Sequence, residues 1–200
     1  MLGLVLAGGL SQRMGQDKSQ MIYPEISDRP QRERLLVDLK ACGLKSFISC
    51  RPDQILNKEI APHIILDRPE FIGGPGVGLL SAHLQFPDSA WLVVACDFPW
   101  LGQTEIKELI SERRLDGKSV ATQHLDETVE PLFAIWEPEA LRLFLAEFRK
   151  GFKSPQKILQ QSKCAVIKMK NMKALTNINT KQEVEAHHEL RPQVLKKNLN

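Results

Sequence analysis

The sequence lacks the marks of a membrane-spanning, secreted or zinc-ribbon protein. No apolar run approaches the ~20 residues that a membrane helix needs. No cationic segment precedes the short apolar run at the N-terminus, so we expect no secretory signal. The four cysteines, at positions 42, 50, 96 and 164, form no C-x-x-C pair, which argues against a zinc site or a thioredoxin motif. We therefore expect reduced thiols and a cytoplasmic protein.

Strong charge, internal repeats, linkers and low-complexity segments are also missing. The net charge of +3 is too small to indicate nucleic-acid binding, and it is compatible with a small anionic substrate. The length of 200 residues suits one domain, which can bury roughly 70% of its unfolded surface. We expect this single domain over residues 1–190 and a basic, frayed tail over residues 191–200.

The N-terminal stretch, residues 2–18, carries the strongest signal. Its short apolar run stops at Gly8 and Gly9, which predicts a buried strand followed by a loop. Glycine allows a positive φ and a close ligand, and the N–H groups of such a turn bind anions. Arg13 and Lys18 add two positive charges. The stretch matches neither the P-loop nor the dinucleotide fingerprint. The pattern favours a nucleoside triphosphate; the plainer alternative is a glycine turn with two surface cations.

Strands alternate with helices along the chain. We predict strands near residues 46–50, 63–66, 91–95, 119–122, 132–136 and 165–169, and the short link between 122 and 132 predicts an antiparallel pair. Capping-box spacing at Thr180 and Glu183 predicts a last helix. The alternation predicts a three-layer α/β/α fold with a mainly parallel, mixed sheet. Ligands bind beyond the carboxyl ends of such strands, where Gly8, Asp67 and Asp97 are all expected.

Two of these positions are carboxylates with distinct expected roles. Asp97 follows a strand that is apolar on both faces, and its hard oxygens suit Mg²⁺, which binds phosphates beside one or two carboxylates. The alternative for Asp97 is a helix cap. Asp67 can accept hydrogen bonds from the adjacent N–H groups of guanine, or it can simply begin a loop.

Four motifs in order give the sequence a family resemblance. Residues 6–18 resemble the signature L-A-G-G-x-S-x-R-M-G-x-D-K of nucleotidyltransferases, notably the molybdenum cofactor guanylyltransferases and their MobA-like kin. Residues 94–99 are similar to the A-C-D-x-P motif, whose Asp binds Mg²⁺, and residues 74–78 replace a G-P-L-A-G loop. Residues 130–134 resemble E-P-L-F-A, and residues 177–180 match N-I-N-T.

The resemblance implies a Rossmann-like nucleotidyltransferase that transfers GMP from GTP to the phosphate of molybdenum-bound molybdopterin and releases pyrophosphate. It also implies contact with other proteins of molybdenum cofactor biosynthesis. Arg13, Lys18 and Asp97 would be catalytic, with Mg²⁺ on Asp97. The implied nucleotide-binding residues are Leu6, Ala7, Gly8, Gly9, Arg13, Lys18, Asp67 and Asp97. The implied acceptor-binding residues are Gly76, Gly78, Glu130, Pro131, Asn177 and Asn179.

One departure leaves the base open. The guanylyltransferases usually show N-x-N-R after the second strand, where this chain has Ser49, Cys50, Arg51 and Pro52. A related transferase that makes a cytidylyl or sugar-linked product is one alternative. A nucleotide-binding module without catalysis is another, although such a module has no need of Asp97.

Overall fold

The computed structural model describes residues 1–9, 17–54, 60–114 and 116–178. In this part of the chain seven strands form one sheet: β1 Leu2–Leu6, β2 Ser46–Cys50, β3 Ile64–Leu66, β4 Trp91–Ala95, β5 Val120–Gln123, β6 Val129–Trp136 and β7 Ala165–Ile167. The α-helices are α1 Gln31–Ala41, α2 Gly76–Gln85, α3 Gln103–Ser111, α4 Pro138–Arg149 and α5 Pro155–Gln161. Short 3-10 turns cover Lys18–Gln20, Ala61–His63 and Met172–Leu175.

The sheet is mixed, with the strand order β3-β2-β1-β4-β6-β5-β7. Strands β3, β2, β1 and β4 run parallel, β6 runs antiparallel to β4 and β5, and β7 is parallel to β5. The predicted α/β class and the predicted antiparallel pair are both confirmed. Because β1 to β4 are parallel, their carboxyl ends share one edge of the sheet.

Both faces of the sheet are covered, which explains why β1 and β4 are apolar throughout. One core contains Val5 and Val94 with Leu35 of α1 and Ile106 of α3. The other contains the neighbouring residues Leu4 and Val93 with side chains of α2, α4 and α5: Leu79, Leu80, Leu141, Phe144 and Ile158. The helices therefore form two outer layers, as the predicted three-layer fold requires.

Strand β6 begins three residues earlier than predicted, at Val129. Ala121 pairs with Ala134, whereas the next residue, Thr122, pairs with Glu130. Residues 131–133 therefore have no register partner on β5, although Phe133 still pairs with Val94 of β4. Pro131, which has no N–H to donate, is tolerated at such a bulge. The Thr122 hydroxyl donates to the Phe133 carbonyl at 2.9 Å. Apolar periodicity locates a regular strand but gives no signal for this bulge.

The remaining sequence predictions concern the last strand, the cysteines, membrane helices and the C-terminal residues. The last predicted strand ends at Ile167, two residues early. All four cysteines are free thiols. Across the described ranges no helix is long and apolar enough to cross a membrane. The predicted last helix at Thr180 and the predicted tail lie outside the described residues.

Candidate functional site

A cavity of about 670 Å³ opens at the carboxyl ends of β1 to β4. Its walls come from the predicted glycine loop, from the segments that follow β2 and β3, and from the start of α2. Residues Leu6, Ala7, Gly8, Gly9, Lys18, Asp67, Gly78 and Asp97 all line it. The three strand-end signals predicted from the sequence therefore meet in one cavity, because parallel strands bring their carboxyl ends together.

Gly8 is explained by the side chain that approaches it. The Ala7 N–H donates to the Ser49 carbonyl at 2.8 Å, which extends the ladder between β1 and β2. A Cβ on Gly8 would overlap Asp67 Oδ2 and would lie 3.2 Å from Asp67 Cγ, whereas a Cβ on Gly9 would meet nothing within 4 Å. Neither glycine has a left-handed φ. The positive φ that glycine allows is not used here, and Gly8 instead provides space.

Asp67 follows β3 and presents its carboxylate to the cavity. Its N–H donates to the Cys50 carbonyl at 2.9 Å, which fixes the residue at the strand end. The Ser49 hydroxyl donates to Asp67 Oδ1. Burial raises the pKa of Asp67 above its usual value, and the Ser49 hydrogen bond and the Arg51 charge oppose that rise. A half-buried carboxylate with a raised pKa in a cleft is a candidate binding group.

Lys18 and Asp97 both line the cavity and form an ion pair, with 3.3 Å between Lys18 Nζ and Asp97 Oδ1. The Lys18 side chain is 13% exposed and that of Asp97 is 39% exposed. Asp17 caps the turn that carries Lys18, because its Oδ1 accepts from the Ser19 N–H at 2.9 Å. The pair would offer a cation and a carboxylate to the same phosphate groups.

The surroundings of Asp97 suit Mg²⁺ bound together with a triphosphate. Among the described residues no group of three or more His, Cys, Asp or Glu side chains could hold a metal ion. Mg²⁺ does not need such a cage, since it keeps several waters and binds phosphates beside one or two carboxylates. Asp97 is partly exposed to the cavity, whereas both oxygens of nearby Asp17 already accept hydrogen bonds. Of these two neighbouring carboxylates, Asp97 is the one with more room for Mg²⁺.

Helix α1 supports the loop that carries Asp97. Gln31 Nε2 donates to the Phe98 carbonyl at 3.1 Å. Arg34 donates to the Leu101 carbonyl at 2.9 Å and to the Pro99 carbonyl at 3.1 Å. Burial lowers the pKa of Arg34, and the Asp38 carboxylate opposes that effect. Sequence reasoning missed this support, although polar residues at positions 31, 34 and 38 share one helix face.

Three of the residues that we predict to bind the acceptor substrate make contacts that support the fold. Gly76 packs beneath the Phe144 ring, which a Cβ would overlap. Glu130 accepts from the Leu132 N–H at 2.8 Å and pairs with His124 at 2.8 Å. The Pro131 carbonyl accepts from the Trp136 indole at 3.0 Å. These three predicted residues do not line the cavity, and their acceptor role stays a prediction.

The remaining predicted site residues lie at the end of the described chain or outside the described residues. The Ile178 N–H donates to the Asp97 carbonyl at 3.1 Å, so exposed Asn177 lies next to the Asp97 loop. Arg13 and Asn179 lie outside the described residues.

The segment after β2 supplies residues that sequence reasoning did not assign to the site. Arg51 donates to the Gly8 carbonyl at 2.7 Å and to the Gly9 carbonyl at 2.9 Å. Gln54 donates to the Ala7 carbonyl at 2.9 Å. Arg51 lies within the four residues that replace the family's N-x-N-R pattern, so an arginine at this strand end was an available signal.

The fold and the cavity together define a nucleotidyltransferase: a glycine loop, a lysine and a carboxylate meet at the carboxyl edge of a Rossmann-like sheet. Residues 3–165 match the family model described as the MobA-like NTP transferase domain. The chain belongs to that family.

Curated relatives agree with the family model. The molybdenum cofactor biosynthesis bifunctional protein of Synechocystis sp. is 34% identical over 184 residues, which are 90% of this chain and 52% of the relative. The chain thus spans about half the length of that protein. The molybdenum cofactor guanylyltransferase of Pseudomonas putida is 29% identical over 192 residues, which are 91% of this chain and 94% of the relative.

A solved structure shows the same fold. The molybdopterin-guanine dinucleotide biosynthesis protein A of Archaeoglobus fulgidus superposes with a TM-score of 0.71 at 20% identity. The match covers 95% of this chain and 98% of that one.

Proposed function

We propose that this protein transfers the GMP group of GTP to a phosphate on a molybdopterin-type acceptor and releases pyrophosphate. The observation that carries the proposal is the half-buried Asp67 carboxylate, which lines the cavity beside the glycine loop. The names of relatives that match over nine tenths of their own length support the same reaction. The proposal includes contact with other proteins of molybdenum cofactor biosynthesis, which would supply the acceptor.

Asp67 is the proposed reader of the base. Guanine presents N1–H and N2–H₂ side by side, which one carboxylate can accept together. Adenine lacks this donor pair, and cytosine offers only its amino group on that edge. A buried carboxylate that is left unpaired disfavours the wrong base, and this is how hydrogen-bonding sites become selective. Ser49 would orient Asp67 for this contact, since its hydroxyl donates to Oδ1.

The chemistry needs little acid–base help from the protein. A phosphate monoester is largely dianionic at pH 7, since its second pKa is about 6. Its oxygen would attack the α-phosphorus of GTP, a new P–O bond would form, and the α–β bridging bond would break to release pyrophosphate. Positioning and charge neutralisation dominate such reactions. Lys18 would stabilise the triphosphate and the departing pyrophosphate through its ammonium group.

Mg²⁺ held by Asp97 would supply further neutralisation of the phosphate oxygens. The Lys18 ammonium, 3.3 Å from Asp97 Oδ1, would keep this carboxylate aimed at the same phosphates. Among the residues that line the cavity are the apolar Phe71, Val77 and Leu132, which would offer contacts to a flat heterocycle such as a pterin.

A nucleotide panel tests the proposal. Purified protein is incubated with Mg²⁺, a molybdopterin-type acceptor and GTP, ATP, CTP or UTP in turn, and pyrophosphate release is measured. We expect release with GTP at a higher kcat/KM than with the other three. A preference for CTP would assign the protein to the cytidylyl alternative. Nucleotide binding without acceptor-dependent pyrophosphate release would indicate a binding module and contradict the proposal.

A further inference from the structure

We infer that Gln54 is a positioning residue that joins the two ends of the nucleotide loop. Its Nε2 donates to the Ala7 carbonyl at 2.9 Å and to Asp17 Oδ2 at 2.8 Å. These partners belong to the start and the end of the family signature. The inference rests on the proposed function in one respect, because it takes the loop to bind a nucleoside triphosphate.

Gln54 uses all of its hydrogen-bonding groups in this arrangement. Its Oε1 accepts from the Arg51 N–H at 2.8 Å, and the residue is buried. Its two partners in the loop are both acceptors, a carbonyl and a carboxylate. The bridging group must therefore offer two N–H donors from one atom and carry no negative charge, and a primary amide meets both conditions.

The hydrogen bond from Gln54 to Asp17 also affects the position of Lys18. Besides Gln54, Asp17 accepts from the Ser19 N–H at 2.9 Å and from the Ser19 hydroxyl at 2.7 Å, so both of its oxygens are fixed. Asp17 thereby caps the turn in which Lys18 is the first residue. We expect a displaced Asp17 to move Lys18 away from its 3.3 Å contact with Asp97.

The end of β2 and the segment that follows it position the loop at other points. Arg51 donates to the carbonyls of Gly8 and Gly9, and Ser49 donates to Asp67. Gln54 adds a contact to Asp17, which lies at the end of the loop just before Lys18. Residues 49–54 thus hold Asp67, the expected base contact, and the turn that carries Lys18, the expected phosphate contact. Their separation from the signature in sequence explains why the motif alone did not reveal them.

Gln54→Glu tests the inference most directly, because a carboxylate would face the Asp17 carboxylate and the Ala7 carbonyl. The matched control is Gln103→Glu. Gln103 Nε2 donates to Asp38 Oδ1 at 3.0 Å in an exposed contact between α3 and α1. Both variants place a new carboxylate beside an aspartate, but only Gln54 contacts the nucleotide loop.

Nucleotide affinity is measured by calorimetry with Mg²⁺ and whichever of GTP, ATP, CTP and UTP the parent binds. We expect Gln54→Glu to weaken binding by about ten- to a hundred-fold, as the loss of hydrogen bonds to a charged group predicts. We expect Gln103→Glu to match the parent. Hydrogen exchange without nucleotide is the second readout, and the peptides that carry Ala7 and Asp17 should exchange faster in Gln54→Glu only.

A double variant separates the local contact from general destabilisation. With Asp17→Asn added to Gln54→Glu, the new amide can donate to the new carboxylate while its oxygen still accepts from the Ser19 N–H. We expect part of the lost affinity to return. Gln54→Met removes both donors without adding charge, and it provides the same test if Gln54→Glu does not fold.

The two proposals can fail separately. A parent that prefers CTP contradicts guanylyl transfer and still tests Gln54 with CTP. If the parent binds no nucleotide, the exchange experiment decides the role of Gln54 by itself. Parent-like affinity and parent-like exchange in both Gln54→Glu and Gln54→Met would overturn the inference.

Discussion

The two neighbouring glycines of the loop should respond differently to one added methyl group. A Cβ on Gly8 would overlap Asp67 Oδ2, whereas a Cβ on Gly9 would meet nothing within 4 Å. Alanine suits the backbone at both positions, because neither φ is left-handed. Any difference between Gly8→Ala and Gly9→Ala therefore reports on the Asp67 side chain.

The magnitude follows from the bonds that Asp67 would lose. In Gly8→Ala the carboxylate must withdraw from the loop, and its hydrogen bond from Ser49 is disturbed. A hydrogen bond to a charged group contributes roughly 1.5–3 kcal/mol, which corresponds to about ten- to a hundred-fold in binding. We expect the preference for GTP over ATP and CTP to fall by that factor. Gly9→Ala should keep the preference and stabilise the fold by roughly 0.4–1 kcal/mol, because alanine restricts the unfolded chain.

Calorimetric titrations of both variants with GTP, ATP and CTP check this prediction, and thermal melts show that each variant is folded. If Gly8→Ala retains the full preference for GTP, Asp67 does not read the base from its present position. If Gly9→Ala loses as much preference as Gly8→Ala, the effect comes from the loop backbone and the steric argument fails.

Three further predictions concern charged residues of the cavity. Lys18→Ala should lower steady-state turnover by about two orders of magnitude, in line with roughly 3 kcal/mol for a preorganised donor, and leave the melting temperature almost unchanged; near-parent turnover would contradict its role. Asp97→Asn should abolish most activity and shift the Mg²⁺ titration to higher concentrations, whereas an unchanged titration would exclude Asp97 as the ligand. The raised pKa of Asp67 means that the folded protein binds this proton more tightly than the unfolded chain, so the free energy of unfolding falls as pH rises from 3.8 through the raised pKa. Asp67→Asn should remove that loss and melt higher than the parent at neutral pH; a lower melting temperature would refute the reasoning.

The part of the site that could be predicted from the sequence is the part fixed by strand ends. Gly8, Asp67 and Asp97 each follow a recognisable strand, and a parallel sheet brings such positions to one edge. The partner of Gln54 could not be predicted in the same way. Ala7 lies 47 positions away in sequence, and the contact depends on the path of the chain after β2. A local pattern contains no information about that path.

The acceptor side shows a different limit. Residues such as Gly76 and Glu130 were assigned through motif resemblance alone. Gly76 is needed where α2 crosses the Phe144 ring of α4, and that helix contact is set by tertiary packing. Glu130 satisfies the Leu132 N–H inside a bulge that periodicity does not predict. A motif can therefore mark a residue that shapes the site without touching the ligand.

The buried Glu130 and the half-buried Asp67 illustrate how structure separates these roles. Glu130 accepts hydrogen bonds from His124 and from the Leu132 N–H, so its burial supports the backbone of β6. Burial raises the pKa of Asp67, which faces the cavity. Its carboxylate occupies the space that a Cβ on Gly8 would need. Its ionised form therefore makes the fold less stable, and the Ser49 hydrogen bond and the Arg51 charge offset that cost only in part. A ligand with paired N–H donors would complete the set of partners for Asp67, and for this reason we propose that Asp67 contacts the base.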